Sequence, residues 1–449
     1  MTADLIWALA SYLRVRSFAL FIRDRRALLR WQKRRLSRWL ARDVPKVDAF
    51  SAMDTAGAGL RLQDLPVMDK SDLMADFSRY NLPRVTNAAG WKAFAGSRQI
   101  GALIVGASTG TTGNRGLFVI SQRERFAWLG AILAKAVPDV WRHRDRVAVL
   151  LPLDTPLYHS ASQTGWVRLA FFDITRPLES LADELEQFAP TLLIAAPRIL
   201  RRILDLKLRL SPRRVFSASE KLDDIDRQVI EAGFGLRLGE IYMATEGLLG
   251  VSCAHHRLHL AEDCLAFEFA PAGGDLVSPI LSDFSRKTQI MARYRLNDLL
   301  ALDDRPCPCG SPLQVVREVV GRQDDVFSLP APGRAAVDLT PDILRNTILD
   351  TDREIADFRL LQTGRAVLEL RLPAAILPQV GPAVVARLRA LLQQHRVAPE
   401  CRIDLAALTD DDTGKLRRVR RIWRAPPAGH RDTTEQDGKD GSVGFLAES

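Results

Sequence analysis

The sequence predicts an α/β fold for most of the chain. From about residue 98 onwards, short apolar runs of strand length alternate with amphipathic stretches that are long enough to form crossover helices. The predicted strands comprise residues 100–105, 146–151, 191–195, 214–217 and 238–242. The predicted helices comprise residues 122–137, 178–188, 197–208 and 223–232. This alternation is typical of a sheet that carries helices on its faces.

The composition fits a globular protein with more than one domain. The 449 residues are 47% hydrophobic and 26% charged, so a large core can form. Five unevenly spaced cysteines are too few for a disulfide framework, which favours a reducing compartment, and we expect the cytoplasm. The first apolar run, residues 5–13, lacks a basic leading segment and a small-residue cleavage site, so we expect no secretory signal. No later run reaches transmembrane length.

Residues 1–42 form a basic amphipathic segment, in which we expect one or two helices because apolar side chains recur at helical spacing. The stretch from Arg14 to Arg42 holds eleven basic residues and a single acid, Asp24. One interpretation is peripheral contact with an anionic membrane or an acidic partner protein; the other is a packed helix whose arginines face water. No nucleic-acid-binding motif accompanies the charge, so nucleic acid is not an expected partner.

A loop rich in glycine and hydroxyl side chains, within residues 105–116, is a candidate phosphate-binding site. Glycines let backbone N–H groups approach an anion closely, and hydroxyls add further donors. An ordinary surface turn uses the same residue types, so composition leaves both interpretations open. We expect the loop to follow a strand and precede a helix, where open sheets place ligand loops. The candidate phosphate-binding residues are Ser108, Thr109, Gly110, Thr111, Thr112 and Gly113.

Four further motifs follow the loop in a fixed order. They are Ile-Tyr-Met-Ala-Thr-Glu-Gly at 241–247, Tyr-Arg-Leu-Asn-Asp at 294–298, Gly-Arg-Gln-Asp-Asp at 321–325 and Thr-Gly-Lys-Leu-Arg at 413–417. Each motif alone is weak, but the ordered set of five resembles the adenylate-forming (acyl/aryl-CoA synthetase) superfamily, whose members join a carboxylate to AMP and pass the acyl group to an acceptor. The resemblance implies that the chain is an ATP-dependent ligase.

The resemblance also implies a role for individual residues at the nucleotide. Tyr242 belongs to the aromatic motif, and Thr245 and Glu246 lie beside the phosphates, where Glu246 helps to hold Mg²⁺. Asp298 grips the ribose hydroxyls and Arg322 lies near the ribose. The structural alternatives are a surface acid for Glu246 and a turn or helix cap for Asp298.

The last two motifs imply a hinged second domain. Asp324 is the pivot, and Lys415 reaches into the site during adenylation, unless it is one more cation of a basic tail. Residues 43–323 are then a large nucleotide- and acid-binding domain with α/β subdomains, and residues 324–425 a small, mobile α+β domain. We expect the tail, residues 426–449, to be disordered.

Two segments resemble the phenylacetate–coenzyme A ligase branch, which includes deazaflavin (coenzyme F) synthetases. They are Leu-Pro-Val-Met-Asp-Lys-Ser-Asp-Leu at 65–73 and Arg-Pro-Cys-Pro-Cys-Gly-Ser-Pro at 305–312. The implied reaction activates an aryl or fatty acid as acyl-AMP and transfers it to coenzyme A or to the phosphopantetheine of an acyl carrier protein. Two alternatives stay open: transfer of AMP to a hydroxylated, deazaflavin-like acceptor, and a catalytically idle scaffold that binds a membrane or a partner.

The acid pocket and a zinc site are further candidates. Residues 153–166, with Tyr158, His159 and Trp166, form the candidate pocket wall, although buried packing explains the same residues. Two cysteines that are two residues apart, with a cysteine and histidines upstream, could supply four ligands to a tetrahedral Zn²⁺, and some relatives carry such a structural metal. The alternative is a pair of turn cysteines beside a solvated histidine cluster. The candidate zinc ligands are Cys253, His259, Cys307 and Cys309.

The sequence departs from the family at the loop. Many members have a lysine after the last glycine of the loop, whereas this chain has only Arg115 as a nearby cation. At residue 297, asparagine replaces the usual glycine of the Tyr-Arg-x-Gly-Asp motif. The turn after Asp325 also carries two prolines, Pro330 and Pro332, where relatives have a more open turn.

Overall fold

The computed structural model describes residues 3–53, 60–108, 115–140, 142–151, 167–409 and 416–424. It divides into two compact units, Met1–Asp325 with Thr409–Arg417, and Val326–Leu408 with Arg418–Ser449. Among the residues described, no helix combines the length and apolar character that crossing a bilayer requires.

The first unit contains α1 to α8 and β1 to β15. The helices are α1 (Ala3–Phe21), α2 (Arg25–Arg42), α3 (Lys70–Ala75), α4 (Asn87–Ala95), α5 (Gln122–Ala136), α6 (Ala182–Phe188), α7 (Pro197–Asp205) and α8 (Asp224–Phe234). The strands are β1 (Gln99–Ile100), β2 (Leu103–Ala107), β3 (Leu117–Ser121), β4 (Asp145–Leu151), β5 (Val167–Asp173), β6 (Leu192–Ala195), β7 (Arg214–Ala218), β8 (Gly239–Ala244), β9 (Gly247–Ser252), β10 (Leu258–Leu260), β11 (Leu265–Pro271), β12 (Leu276–Asp283), β13 (Tyr294–Arg295), β14 (Asp298–Asp303) and β15 (Val315–Arg322).

A long mixed sheet organises this unit. Its described strands run in the order β11-β12-β14-β15-β10-β9-β8-β7-β6-β4-β5, and β13 pairs with β12. The pairs from β5 through β4, β6 and β7 to β8 are parallel. The pairs from β8 through β9, β10, β15, β14 and β12 to β11 are antiparallel. The predicted α/β class is therefore confirmed.

The parallel half of the sheet is covered on both faces, as its apolar runs require. Along β4, Ala148 and Leu150 pack in a cluster with residues of α6, α7 and α8. Val147 and Val149 point to the opposite cluster, which includes residues of α5. Four of the predicted strands lie in this half, and each predicted helix occurs within a few residues of its expected bounds.

The glycine-rich loop lies in a different setting from the one predicted. Residues 100–105 form two strands, β1 and β2, of a separate antiparallel sheet with the order β1-β2-β3. The loop therefore connects β2 to β3, and a helix, α5, begins only after β3. The expectation of a helix directly after the loop was wrong because Leu117–Ser121 pairs with β2 over its whole length. Ser121 and Glu124 then form a capping box that starts α5.

The basic segment folds as two helices that pack on the first unit. Gly130 of α5 allows a close approach, because a Cβ atom there would lie 2.1 Å from the carbonyl oxygen of Ala8 in α1. Gln32 of α2 donates to the carbonyl oxygens of Glu262 and Leu265 at 2.8 and 3.0 Å. Part of the segment is thus a packed helical pair, as one of the two interpretations predicts.

The second unit is a small α+β domain, as the resemblance implies. Its elements are β16 (Phe327–Ala331), β17 (Arg334–Leu339), α9 (Pro341–Leu349), β18 (Arg359–Gly364), β19 (Val367–Leu372), α10 (Leu377–Gln394), β20 (Arg402–Ala407) and β21 (Val419–Arg421). Strands β16 and β17 form a hairpin, and the other strands form a sheet in the order β20-β19-β18-β21. Buried residues of this sheet and of both helices share one core.

Candidate active site

Tyr242 and Asp298 meet although they lie on two strands that are not neighbours in the long sheet. Tyr242 lies on β8 and Asp298 begins β14, and the Tyr242 hydroxyl donates to Oδ2 of Asp298 at 2.6 Å. Burial, the charge of Asp298 and this hydrogen bond raise the pKa of Tyr242 well above its usual value. The phenol is therefore a neutral donor that fixes the orientation of the carboxylate. Arg322, the last residue of β15, is the register partner of Asp298.

Thr245 and Glu246 occupy the turn between β8 and β9. Gly247 follows with φ of +133°, a conformation that favours glycine and that lets the chain reverse directly after Glu246. Burial, the charge of Glu246 and a hydrogen bond to its carboxylate raise the pKa of Tyr294. Glu246 is thereby connected to the first residue of the Tyr-Arg-Leu-Asn-Asp motif.

A cavity brings three of the five motifs together. Thr245 and Glu246 line it from the turn after β8, Tyr294 lines it from β13, and Gly116 lines it from the end of the glycine-rich loop. The remaining lining residues are Lys70, Leu73, Leu117, Phe118, Gln289 and Met291. The residues that line the cavity thus include a carboxylic acid, two hydroxyl-bearing residues and a lysine.

Ser108 and Gly116 close the base of the loop. The Ser108 N–H donates to the Gly116 carbonyl oxygen at 2.8 Å, and the Gly116 N–H donates to Oγ of Ser108 at 2.7 Å. Ser108 is buried, and its Oγ accepts in this bond, which leaves the O–H free to act as a donor. The other predicted phosphate-binding residues lie outside the described residues: Thr109, Gly110, Thr111, Thr112 and Gly113.

Arg115 does not line the cavity with these groups. Its guanidinium lies over the rings of Trp91 and Phe94 of α4, 5.7 and 5.5 Å from their centroids. Its Nε donates to the Ser108 carbonyl oxygen at 3.3 Å. The cation that lines the cavity is Lys70, to which the sequence analysis assigned no role.

Contacts within the first unit hold the hinge motif, residues 321–325. Asp324 is bonded to Asn297, and Asp325 is buried and forms an ion pair with Arg417 in which Nε donates to Oδ2 at 3.1 Å. Arg417 is the last residue of the motif that contains Lys415, but Lys415 itself lies outside the described residues. The same holds for Tyr158, His159 and Trp166 of the candidate acid pocket.

The four candidate zinc ligands converge. Cys253 follows β9, His259 lies on β10, and Cys307 and Cys309 lie between β14 and β15. Their ligand atoms all lie within 4.8 Å of one another. The Cys253 and Cys307 sulfurs are 3.6 Å apart, and the Cys309 sulfur is 3.5 Å from Nε2 of His259.

These distances fit a tetrahedral zinc ion. With Zn–S of about 2.3 Å and Zn–N of about 2.0–2.1 Å, two sulfurs lie about 3.8 Å apart, and a sulfur and a nitrogen about 3.6 Å. Nδ1 of His259 lies 3.0 Å from the Leu313 carbonyl oxygen, which only accepts, so Nδ1 carries the proton and Nε2 is left with a free lone pair. The donor set and the ring orientation both suit the metal.

Sequence reasoning missed three polar or polarisable residues of the cavity: Lys70, Gln289 and Met291. Lys70 belongs to the Pro-x-x-x-Lys-x-Asp-Leu segment that carried the resemblance, so that segment was the signal that could have identified it. Gln289 is fully buried, and its Oε1 accepts from the N–H of Val119 at 3.0 Å. No motif marked Gln289 or Met291.

The sequence matches no protein-family model and no curated protein. Solved structures do resemble it, among them 2-hydroxyisobutyryl-CoA ligase in the postadenylation state in complex with 2-HIB-AMP, with a TM-score of 0.61 and 17% identity over 89% of each chain. The open conformation of that ligase, in complex with 2-HIB-AMP and CoA, gives a TM-score of 0.55 and 16% identity over 89% of this chain and 91% of that one. The chain therefore shares its fold with 2-hydroxyisobutyryl-CoA ligase.

Proposed function

We propose that the protein is an ATP-dependent ligase that activates a carboxylic acid as acyl-AMP and transfers the acyl group to a thiol. The observation that carries the proposal is the cavity lined by Thr245, Glu246, Tyr294 and Gly116, which come from three motifs far apart in the sequence. The Tyr242–Asp298 pair supplies an oriented carboxylate. A nucleoside triphosphate needs both kinds of group, donors for its phosphates and an acceptor for its ribose hydroxyls.

In the first half-reaction, an oxygen of the acid attacks the α-phosphorus of ATP and pyrophosphate leaves. No general base is required, because a carboxylic acid is already ionised near neutral pH. Loop residues 108–113, the Thr245 hydroxyl and Lys415 orient the phosphates and stabilise their charge. Glu246 offers the hard oxygen ligand that Mg²⁺ prefers, and Mg²⁺ neutralises phosphate charge when bound. Asp298 holds the ribose, with Arg322 beside it.

In the second half-reaction, a thiol attacks the acyl carbonyl and AMP leaves. We propose coenzyme A or a carrier-protein phosphopantetheine as the acceptor and Asp324 as the pivot that exchanges Lys415 for another face of the small domain, residues 324–425. The substrate class remains the aryl or fatty acid that the likeness to the phenylacetate–coenzyme A ligase branch implies. Small hydroxy acids also belong in the test, since 2-hydroxyisobutyryl-CoA ligase has the same fold.

We further propose that Cys253, His259, Cys307 and Cys309 hold a structural zinc ion. Four protein ligands at tetrahedral distances close the coordination sphere, which is typical of structural and not catalytic zinc. The ion would connect the β9–β10 hairpin to the segment between β14 and β15.

Cytoplasmic action fits the cysteines, all five of which are free thiols.

Peripheral membrane contact is supported by the exposed apolar side chains of the first helix, α1. Phe21, Leu20 and Leu13 of α1 are 80%, 56% and 48% exposed, and α2 carries exposed arginines. Sedimentation with phosphatidylglycerol vesicles tests this: we expect binding that Phe21→Asp weakens, and absence of wild-type binding would contradict it.

Product analysis tests the proposed reaction against AMP transfer. Purified protein is incubated with ATP, Mg²⁺ and a panel of aryl, fatty and small hydroxy acids, with coenzyme A, a phosphopantetheinylated carrier protein or neither. We expect AMP and a thioester with one acid and one thiol. An adenylylated hydroxyl acceptor without a thioester would instead support adenylyl transfer, and no nucleotide-induced thermal stabilisation would support an idle scaffold.

A further inference from the structure

We propose that Lys70 binds the triphosphate of ATP and supplies the positive charge that the glycine-rich loop lacks. The inference rests on the proposed function and extends it to a residue outside the five motifs. It is carried by the anchoring of the Lys70 backbone, the path of its side chain and the different engagement of Arg115.

The backbone before Lys70 is fixed to the strand that carries Tyr294. The Met68 N–H donates to the Arg293 carbonyl oxygen at 3.1 Å, and the Arg295 N–H donates to the Met68 carbonyl oxygen at 2.8 Å. These two bonds flank Tyr294, whose side chain lines the cavity. Asp69 then caps α3 by accepting from the N–H groups of Ser71 and Asp72. Lys70 is thus held beside the cavity by groups on both sides of it.

The side chain of Lys70 passes over the end of the glycine-rich loop. A Cβ atom on Gly116 would lie 3.4 Å from both Cδ and Cε of Lys70, so the stem packs directly against this glycine. Lys70 also lines the cavity to which Thr245 and Glu246 contribute. Within the described ranges, Lys70 has no hydrogen-bond or ion-pair partner, so its charge there is not committed to a structural contact.

Arg115 is engaged elsewhere. Its guanidinium lies over Trp91 and Phe94, and its Nε is bonded at the base of the loop. A lysine ammonium is a compact charge with three donors, which suits a triphosphate that offers many acceptor oxygens. Among the cavity-lining side chains, Lys70 is the cation that can meet the charge of the phosphates beside Glu246.

The test compares ATP with AMP, which lacks the β- and γ-phosphates. Lys70→Met keeps a long stem over Gly116 but removes the charge, Lys70→Arg keeps the charge, and Lys33→Met makes the same change on an exposed helix face. Dissociation constants for both nucleotides are measured by calorimetry. We expect Lys70→Met to weaken ATP binding roughly 10- to 100-fold, the effect of losing a charged hydrogen bond. AMP binding changes less than about twofold, Lys70→Arg recovers part of the loss, and Lys33→Met behaves as wild type.

Three results would overturn the inference in distinguishable ways. If wild-type protein binds ATP and Lys70→Met binds it equally well, Lys70 does not contact the phosphates. If Lys70→Met weakens the binding of ATP and of AMP equally, Lys70 supports the structure of the site and does not contact the β- and γ-phosphates. If wild-type protein binds neither nucleotide, the proposed function fails and this inference fails with it.

Discussion

Asn297 and Asp324 exchange two hydrogen bonds between the residue before β14 and the residue after the Gly-Arg-Gln triplet of the hinge motif. Nδ2 of Asn297 donates to Oδ2 of Asp324 at 2.7 Å, and the Asp324 N–H donates to Oδ1 of Asn297 at 3.3 Å. The Gln323 N–H also donates to the Asn297 carbonyl oxygen at 2.8 Å. The glycine that relatives have at this position has no side chain, so this chain holds the proposed pivot with an additional contact.

Asn297→Ala removes both side-chain bonds and leaves the backbone bond in place. We expect the hinge to open locally more often, because a charged hydrogen bond contributes about 1.5–3 kcal/mol. Limited proteolysis should then cut the peptide bonds around Asp324 several-fold faster, while acid-dependent pyrophosphate exchange persists. Equal cleavage of variant and wild type would show that the Asn297 side chain does not restrain the pivot.

Asp298 should affect ATP and AMP alike, because both carry the ribose. Asp298→Ala is expected to weaken binding of both nucleotides about tenfold or more, and Tyr242→Phe less, since the phenol only orients the carboxylate. Binding of AMP is also compared with binding of 3′-deoxy-AMP, which lacks one ribose hydroxyl. Wild-type protein should bind 3′-deoxy-AMP more weakly than AMP, and Asp298→Ala should bind the two equally. A variant that still discriminates between them would show that the ribose hydroxyl is recognised elsewhere.

The zinc site gives a prediction that does not depend on catalysis. Protein purified without chelators should contain one zinc per chain, and Cys309→Ser should lose zinc and unfold at a lower temperature. Cys401→Ser is the matched control, because Cys401 lies in the second unit and outside the cluster. Substoichiometric zinc in wild-type protein, or retention of zinc by Cys309→Ser, would contradict the assignment.

Asp139 gives a pH dependence of stability. Burial raises its pKa, but the hydrogen bonds and charge of Arg214, with the charge of Arg213, outweigh burial and lower the pKa from 3.8 to about 2. Both Arg214 nitrogens donate to it, at 2.7 and 2.8 Å. Because the folded-state pKa is lowered, the contribution is fully present above pH 3.8 and is lost as pH falls through about 2.

Asp139→Asn should therefore lower the free energy of unfolding at pH 7 by about 1–3 kcal/mol. Urea titrations should show that the difference in unfolding free energy between Asp139→Asn and wild type becomes smaller below pH 3.8. The exposed Asp205, changed to Asn, is the control and should show little difference at any pH. If Asp139→Asn lowers the free energy of unfolding by the same amount at pH 7 and at pH 2.5, the ion pair of Asp139 with Arg214 is not the cause.

The sequence predicted the strands of the parallel half and several candidate site residues, because these depend on residue type and local pattern. The runs in β4, β6, β7 and β8 were recognisable because a strand that is covered on both faces is mostly apolar. The cysteine and histidine types predicted four candidate zinc ligands that the fold brings together, because few other residues bind that metal. The resemblance supplied Tyr242 and Asp298, which the fold brings within 2.6 Å.

The sequence alone did not predict which distant segments of the chain pair with one another. The position of Lys70 depends on the bridge between Met68 and Tyr294, which are more than 200 residues apart and share no periodicity. The separate sheet around the loop depends on the pairing of β2 with β3, whereas residues 100–105 alone resemble any other buried strand. The Asn297–Asp324 contact likewise depends on the pairing of β14 with β15.

Acid-dependent exchange between ATP and labelled pyrophosphate tests adenylate formation most directly, because exchange requires reversible formation of acyl-AMP and no acceptor. We predict exchange with at least one carboxylic acid in the presence of Mg²⁺, and its loss in Lys415→Ala with the melting temperature unchanged. Exchange unaffected by Lys415→Ala would remove the role of that lysine. No exchange with any acid of the panel, by protein that is folded and binds ATP, would contradict the central claim.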